Sequence, residues 1–403
     1  MLMPNTETEA AEIVRAHADT AAALDIVGNA TRGGIGNPVE ADQRLSSRGL
    51  TGIVSYNPAE MVLSAKAGTP ISEIEAALAE AGQMMAFEPM DHRGIMGTSG
   101  EPTIGGAFAV NASGPRRISA GAARDNLLGV RFVNGMGECV KAGGRVMKNV
   151  TGLDLVKLLA GSHGTLGFLT EVTFKVLPVP KYSVTIVLSG LYEDAQAAAV
   201  MATALGLPVE VSGAAHLPVM VAPHHLDGSL PEGPATVLRL EGLEASVLVR
   251  AEKLEKAMAG FAPVSRLGPD DTETLWREIR DVKAYSDGTE KPLWRVSMAP
   301  TEGAKLVARL RLEAGIDAFY DWQGGLVWMR MEADPEADSL RQMIKAFGGG
   351  HATLMRAPAV HRDGISAFQP LAPAVALLSQ RVKQKVDPVG IFSPGRMARG
   401  AGA

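Results

Sequence analysis

The hydrophobic and polar positions of the chain fall into two textures, and the first runs to about residue 178. Here short helical and strand-like patterns alternate between glycine-rich breaks. "EAAEIVRAHADTAAAL" is helical by its alanine and glutamate content. "TPISEIEAALAEAG" (69–82) has a Thr69–Pro70 start, apolar residues at Ile71, Ile74, Ala77 and Leu78, and a Gly82 stop, which predicts a helix. "LLGVRFVN" and "ECVKAGGRVMK" read as strands, with Gly135 and Gly137 marking the turn between them. Further on, Thr151 and Asp154 have the spacing of a capping box, and Leu155, Val156, Leu158 and Leu159 form an apolar helical face. Gly161 then falls where a left-handed C-terminal cap belongs. From Phe168 the pattern alternates, with Phe168, Thr170, Val172, Phe174 and Val176 on one face and Glu171, Thr173 and Lys175 mostly on the other. That predicts a strand with one buried face. Residues 161–167 are thus a tight helix-to-strand connection whose glycines stand at 161, 164 and 167. A helix stop and a turn account for Gly161 but not for Gly164 and Gly167 together.

The second texture begins after "VLPVPKY" (176–182), whose two prolines make it the best boundary. "SVTIVLSG", "ATVLRLEG", "WRVSMAP" and "GGLVWMRME" read as strands. "YEDAQAAAVMATAL", "SVLVRAEKLEKAMAG", "EGAKLVARLRLEAG" and "PEADSLRQMIKAFGG" read as amphipathic helices. The chain ends in a helix, a stop at Pro388 and an extended tail. The expected architecture is α+β, with domains at 1–179 and 180–385 and a tail at 386–403.

Composition narrows the function classes. The 403 residues are 46% hydrophobic and 21% charged, with a net charge of −5 and only 5% aromatic residues, so nothing favours nucleic acid. Cys139 is the single cysteine, which rules out an internal disulfide and a cluster held by four thiolates of this chain. The N-terminal stretch lacks an apolar signal core, and "LAPAVALL" (371–378) is far shorter than the roughly 20 residues needed to span a bilayer. No histidines stand at helical metal-ligand spacing, and no metal is expected.

Neither a G-x-x-x-x-G-K-[ST] loop nor a G-x-G-x-x-G fingerprint occurs, so the glycines serve another backbone arrangement. "LDIVGNATRGGIGNP" (24–38) is a strand followed by a loop that can turn successive N–H groups toward one anion, with Thr31 adding a hydroxyl and Arg32 a cation. A mobile surface turn is the equal alternative. In "TIGGAFAVNASGPRRISAGAARDNLLG" (103–129), Gly105–Gly106 and Ala112–Ser113–Gly114 permit close approach of a flat ligand. Asp125 can equally cap the turn that follows it.

Three such clusters in this order resemble the flavin-binding domain of the vanillyl-alcohol oxidase superfamily, of p-cresol methylhydroxylase (PCMH) type. "SGEPTIGGAFAVNASGPRRISAGAARDNLLGVRFVNG", "GGRVMKNVTGLDLVKLLAGSHGTLGFLTEV", "GGHATLMRAP" and "FSPGRM" are similar to the family of FAD-binding subunits of bacterial glycolate oxidase, over nearly the whole chain. Leu153 stands where that family usually has tyrosine. The resemblance implies two subdomains holding an extended FAD under an α+β cap, with the tail returning to the FAD domain. It implies that Asn29, Ala30, Thr31, Arg32 and Gly33 cradle the pyrophosphate. Thr103, Gly105, Gly106, Ala112, Ser113 and Gly114 would lie along the ribityl chain and ring. Gly161, Gly164, Thr165 and Gly167 would line the other side, with Val172 near the adenine. Pro89, Gly121, Asp125 and Gly152 complete the implied cofactor set. Residues 24–38 contain no histidine, so the FAD is expected to be non-covalent.

Oxidising a 2-hydroxy acid needs a hydride acceptor, a base for the hydroxyl proton and a cation for the carboxylate. Arg239, Arg295 and Arg356 are the candidate cations and His351 the candidate base, each with a structural role as the plainer alternative. The Glu-His-Gly signature of the related larger flavin subunit is absent. Two readings follow. In one, this chain's FAD meets glycolate, with D-lactate a second candidate substrate, and passes electrons to an iron–sulfur partner subunit. In the other, the chain is a flavin-bearing structural and electron-transfer subunit and the chemistry belongs to the sister FAD subunit. A stand-alone sugar or alditol oxidase is a further alternative. The expected location is cytoplasmic, or peripheral on the inner face of the plasma membrane through the complex. His163, in "GSHGTLG", is expected to face solvent or a partner chain.

Overall fold

A computed structural model describes residues 1–145, 153–362 and 364–398. Thr151 of the expected capping spacing and Gly152 of the implied cofactor set lie outside them.

The first helix, Glu7–Thr20, begins where Thr6 accepts a hydrogen bond from the Glu9 N–H at 3.1 Å, and Glu7 and Glu9 place negative charge in its first turn. Its buried stripe, Ala10, Ala11 and Val14, packs with Leu24, Leu45, Val133 and Phe168. The helix predicted over 69–82 runs Ile71–Glu80 and buries Ile71, Ile74 and Leu78, the i, i+3, i+7 positions of one face.

Five antiparallel strands form the first sheet, in the spatial order Ile53–Asn57, Val62–Lys66, Phe168–Lys175, Leu127–Val133, Cys139–Gly143. Phe168–Lys175 lies in the middle and is buried on both faces except at Glu171 and Lys175. The predicted alternation was therefore only half of the burial, because helices cover both sides of a central strand. Phe87, Phe108 and Phe174 meet at its centre, with ring centroids 5.2 and 5.3 Å apart.

Eight antiparallel strands drawn from residues 182–356 form the second sheet. One face carries the helices Asp194–Leu205, Glu244–Met258, Gly303–Leu310 and Ala337–Ala346. The other face packs Val187, Phe319, Trp322, Trp328 and Met355 against Ile35, Met90 and Ile95 of the first region. Val211–Leu217 and Ile316–Asp321 were not foreseen as strands. The first is buried at every position, so it has no alternation to read. The chain returns after the Pro373–Val386 helix. Leu24 donates to Ile391 O at 2.8 Å, Ser393 donates to Leu24 O at 2.8 Å, and Arg396 pairs with Asp25.

Across the boundary between the sheets, Glu88 and Arg116 of the first region meet Arg239 and Glu241 of the second. Arg239 Nη1 lies 2.9 Å from Glu88, Arg116 Nη1 3.0 Å from Glu88, and Arg116 Nη2 2.7 Å from Glu241.

Candidate functional site

The strand Leu24–Val27 delivers the loop of residues 28–36 into a cavity that is partly open to solvent. Asn29, Ala30, Thr31, Arg32 and Gly33 form one wall, and Thr103, Gly105 and Gly106 form another. The walls are close: a Cβ on Gly28 would come within 2.3 Å of the Thr103 hydroxyl. Ala30 has φ +56°, and the N–H groups of Asn29, Ala30, Thr31 and Arg32 donate to no other described group. Such a run of free donors is an anion-binding nest.

Arg32 stands behind the nest. It is buried, donates from Nη2 to Met90 O and from Nε to His92 Nδ1 at 3.2 Å each, and makes no ion pair among the described residues. Burial pushes its guanidinium down to about 10. Arg396 from the tail also lines the cavity, and its Nε is buried without a partner. Free N–H donors, a buried unneutralised guanidinium and walls of small residues fit the pyrophosphate and flat ring of FAD.

The turn between helix and strand forms the third wall, through Ser162, His163, Gly164 and Gly167. Asp154, not Thr151, caps the helix Leu155–Leu159, accepting from Lys157 N–H at 3.0 Å. Gly161 has φ +84° and donates to Phe108 O at 3.1 Å. Gly164 has φ +74°, and a Cβ there would meet the Ile26 Cβ at 2.9 Å. At Gly167 a Cβ would meet the Phe132 ring at 2.6 Å.

A second cavity shares Ile35, Val110 and His163 with the first. Met90, His92, Asn111, Ala112 and Ser113 line it from the first region, and Arg295, Thr353, Met355 and Phe368 from the second. Arg295 comes from the strand Leu293–Met298, where Trp294 and Val296 point into the core and Arg295 into the cavity. Its guanidinium makes no hydrogen bond or ion pair among the described residues and lies 5.0 Å from the centre of the Trp322 ring. Burial first, then the neighbouring Arg117 charge, lowers it to about 10.

His92 Nδ1 lies 3.2 Å from Arg32 Nε and 3.1 Å from Met90 O, so it accepts from the guanidinium in one tautomer and donates to the carbonyl in the other, which leaves Nε2 without a proton. Burial and then the Arg32 charge hold His92 well below the ordinary histidine range, so it is neutral. His163 is neutral too, pushed to about 3 by burial and then by Arg396. Its ring packs edge-on against Phe368 at 4.8 Å, between the cavities. The expectation that His163 faces solvent or a partner is thereby corrected: φ +51° at that residue turns the side chain inward.

Other expected residues lie elsewhere. His351 is exposed on the edge strand Gly350–Arg356, beyond Thr353 and Met355, and lines neither cavity. Arg356 is a clamp, donating to the carbonyls of Lys291, Ile95 and Tyr285 at 3.2, 3.1 and 3.0 Å. Arg239 is neutralised by Glu88 and Glu241. Val172 is fully buried between the Val62–Lys66 and Leu127–Val133 strands, beyond Phe168 and Leu169, the residues of its strand that line the cavity. Gly114 lies at the sheet boundary, where its carbonyl accepts from Trp322 Nε1. Pro89 is buried outside both cavities. Asp125 caps the Ala122 N–H at 2.9 Å, with Gly121 packed against it. Thr165 holds the turn through Ser162 O at 2.7 Å. His92, Thr353, Phe368 and Arg396 were not foreseen; Thr353 and Arg396 lie within "GGHATLMRAP" and "FSPGRM", whereas no spacing or pattern marks His92 and Phe368. Among the described residues, no group of three His, Cys, Asp or Glu is placed to hold a metal.

Comparisons with known proteins agree with this geometry. Residues 1–143 match the FAD binding domain family. The chain is 34% identical over 374 residues to glycolate oxidase subunit GlcE of Escherichia coli (strain K12), covering 93% of this chain and 92% of that one. Among solved structures, 4-ethylphenol oxidase from Gulosibacter chungangensis superposes with a TM-score of 0.74 at 15% identity, over 98% of this chain and 88% of that chain. p-Cresol methylhydroxylase does so with a TM-score of 0.73 at 14% identity, over the same shares. At those identities the likeness is one of fold: a PCMH-type α+β flavin domain under a cap. The cofactor is FAD. By its 34% identity over nearly the full length of both chains, the chain belongs to the family of FAD-linked oxidoreductases that includes glycolate oxidase subunit GlcE.

Proposed function

We propose that this chain is the FAD-binding subunit of a glycolate oxidase or dehydrogenase. In this reading non-covalent FAD lies along the two confluent cavities, and a small 2-hydroxy acid, glycolate or D-lactate, is oxidised to the 2-oxo acid at the Arg295 end. The observation that carries it is Arg295 itself, a cation that faces a cavity and makes no ion pair among the described residues, the Asp321 charge acting on it only from beyond ion-pair distance. Bound FAD supplies the acceptor for the α-hydrogen and its electron pair. The remaining work falls to the chain. The N–H groups of residues 29–32 and the Arg32 guanidinium hold the pyrophosphate. Arg295 binds and orients the substrate carboxylate through its fork of donors. Met90, Met355 and Phe368 exclude water beside it. No described side chain lining this cavity is a carboxylate, so the hydroxyl proton goes to a neutral imidazole: His163, or His92 in the tautomer whose Nδ1–H donates to Met90 O and leaves Nε2 free.

The same imidazoles favour a second reading. Both are held far below the ordinary histidine range and are weak bases. In that reading this flavin relays electrons and the oxidation occurs on the sister FAD subunit. In either reading we place the electron acceptor in an iron–sulfur subunit, whose cluster must lie on that other chain because one cysteine cannot hold it. The word subunit in the relative's name supports an assembly of this kind. No helix among the described residues is long and apolar enough to cross a membrane. We place the complex in the cytoplasm or peripherally on the inner face of the plasma membrane. Anaerobic mixing of the purified, FAD-loaded chain with glycolate tests the first reading. Its own flavin is expected to bleach, and Arg295→Gln to raise the half-saturating glycolate concentration roughly a hundredfold. An unchanged flavin spectrum moves the chemistry to the sister subunit.

A further inference from the structure

The turn that joins the strands Ile316–Asp321 and Leu326–Met331 places an indole beside the unpaired Arg295. Trp322 has φ +51° and Gln323 φ +63°, left-handed backbone that bulky L residues adopt only at a cost. The turn is held from both ends. Asp321 Oδ1 accepts from the Trp322 N–H at 2.7 Å, and Trp322 Nε1 donates across the sheet boundary to Gly114 O at 3.0 Å. Gly114 follows Ala112 and Ser113, which line the second cavity. The buried Trp322 ring carries two guanidiniums, Arg117 at 4.2 Å and Arg295 at 5.0 Å from its centre. Arg295 has no hydrogen bond or ion pair among the described residues, and an arginine without partners keeps considerable rotamer freedom. The indole face is its direct contact of defined geometry.

We propose that Trp322 is a positioning residue for substrate recognition: its ring holds the Arg295 guanidinium toward the cavity, and its Nε1–H bond to Gly114 sets that guanidinium in register with the Ala112–Ser113 wall. This rests on the reading that Arg295 binds the substrate carboxylate. The strained turn then has a use, since it stands the indole at the boundary instead of letting the chain continue as an ordinary hairpin. Any substrate of the site pays less ordering entropy because the cation is already aimed.

The test is a double-mutant cycle on the FAD-loaded chain, read by perturbation of the flavin absorbance on titration with acetate, which has the carboxylate but no hydroxyl to oxidise. Trp322→Leu is expected to weaken acetate binding about tenfold in the native background and not at all in Arg295→Gln, because its effect passes through that arginine. Trp322→Phe keeps an aromatic face without the Nε1 donor and is expected to weaken it about threefold, so the proposal remains testable if the leucine variant does not fold. Equal losses in both backgrounds, or no loss in either variant, overturn the positioning role. If Arg295→Gln alone leaves acetate binding unchanged, the carboxylate reading of Arg295 fails first and the proposal falls with it.

Discussion

At the scale of single residues, what separates a site residue from a structural one is the partner it finds far away in sequence. Arg239 and Arg295 both sit on strands within apolar runs. Arg239 meets Glu88, 151 positions upstream, and is neutralised, whereas Arg295 makes no ion pair among the described residues and faces a cavity. Nothing local distinguishes them. His351 failed as a base for a related reason: its strand enters the site only at Thr353 and Met355, and a residue two places earlier has already reached the exposed edge. His163 shows the converse, a side chain expected outside that lies between the cavities. Replacing His163 with alanine is therefore expected to weaken FAD retention about tenfold, measured by fluorescence titration of the apoprotein. The imidazole is neutral well above about 3, so the native chain's FAD affinity should show no histidine step from His163 between about pH 5 and 8. An alanine variant with unchanged FAD affinity would return His163 to a passive role.

Elements were more legible than sites. Helices with a clear 3.6-residue stripe and an N-terminal signal, such as Ile71–Glu80, follow from local sequence alone. Val211–Leu217, a strand that escaped notice, lacks alternation because both of its faces are covered. The glycine spacing at 161, 164 and 167 has three separate causes rather than one. Gly161 ends a helix, Gly164 combines left-handed backbone with contact to Ile26, and Gly167 makes room for Phe132. Only the first was readable, since the other two depend on residues more than thirty positions away. This separates two alanine variants. Gly82 has φ +62° with nothing within 4 Å of a Cβ, so Gly82→Ala is expected to cost only about 1 kcal/mol of backbone strain. Gly164→Ala adds a clash with Ile26 beside the 28–36 loop and is expected to cost about 2–4 kcal/mol and to loosen FAD as well. Thermal unfolding with and without added FAD reads both effects. Equal melting temperatures for the two variants would mean that the Ile26 contact yields freely.

For the whole molecule, the site exists only while the two sheets stay together, since each contributes one wall of the second cavity. Part of that attachment is the buried quartet of Glu88, Arg116, Arg239 and Glu241. Burial works to raise both carboxyls, but the Arg239 and Arg116 charges outweigh it, leaving Glu88 below its ordinary value and Glu241 at about 2. A carboxylate whose folded value is depressed contributes stability that is fully present above the unfolded value and is lost as pH falls through the folded one. For Glu241 that window runs from 4.5 down to about 2. Acid should therefore release FAD and part the sheets over this window, before the apolar cores on either side give way. Arg239→Met tests the attribution. At neutral pH it leaves the two carboxylates to share the single Arg116 charge and is expected to cost about 3–5 kcal/mol. Between about pH 4.5 and 2 its stability should fall less steeply than that of the native chain, because its carboxyls are held down by Arg116 alone and take up their protons nearer the unfolded value. Melting temperature followed against pH for both proteins decides it: parallel curves would show that carboxylates elsewhere carry the acid sensitivity, and converging curves that the quartet does.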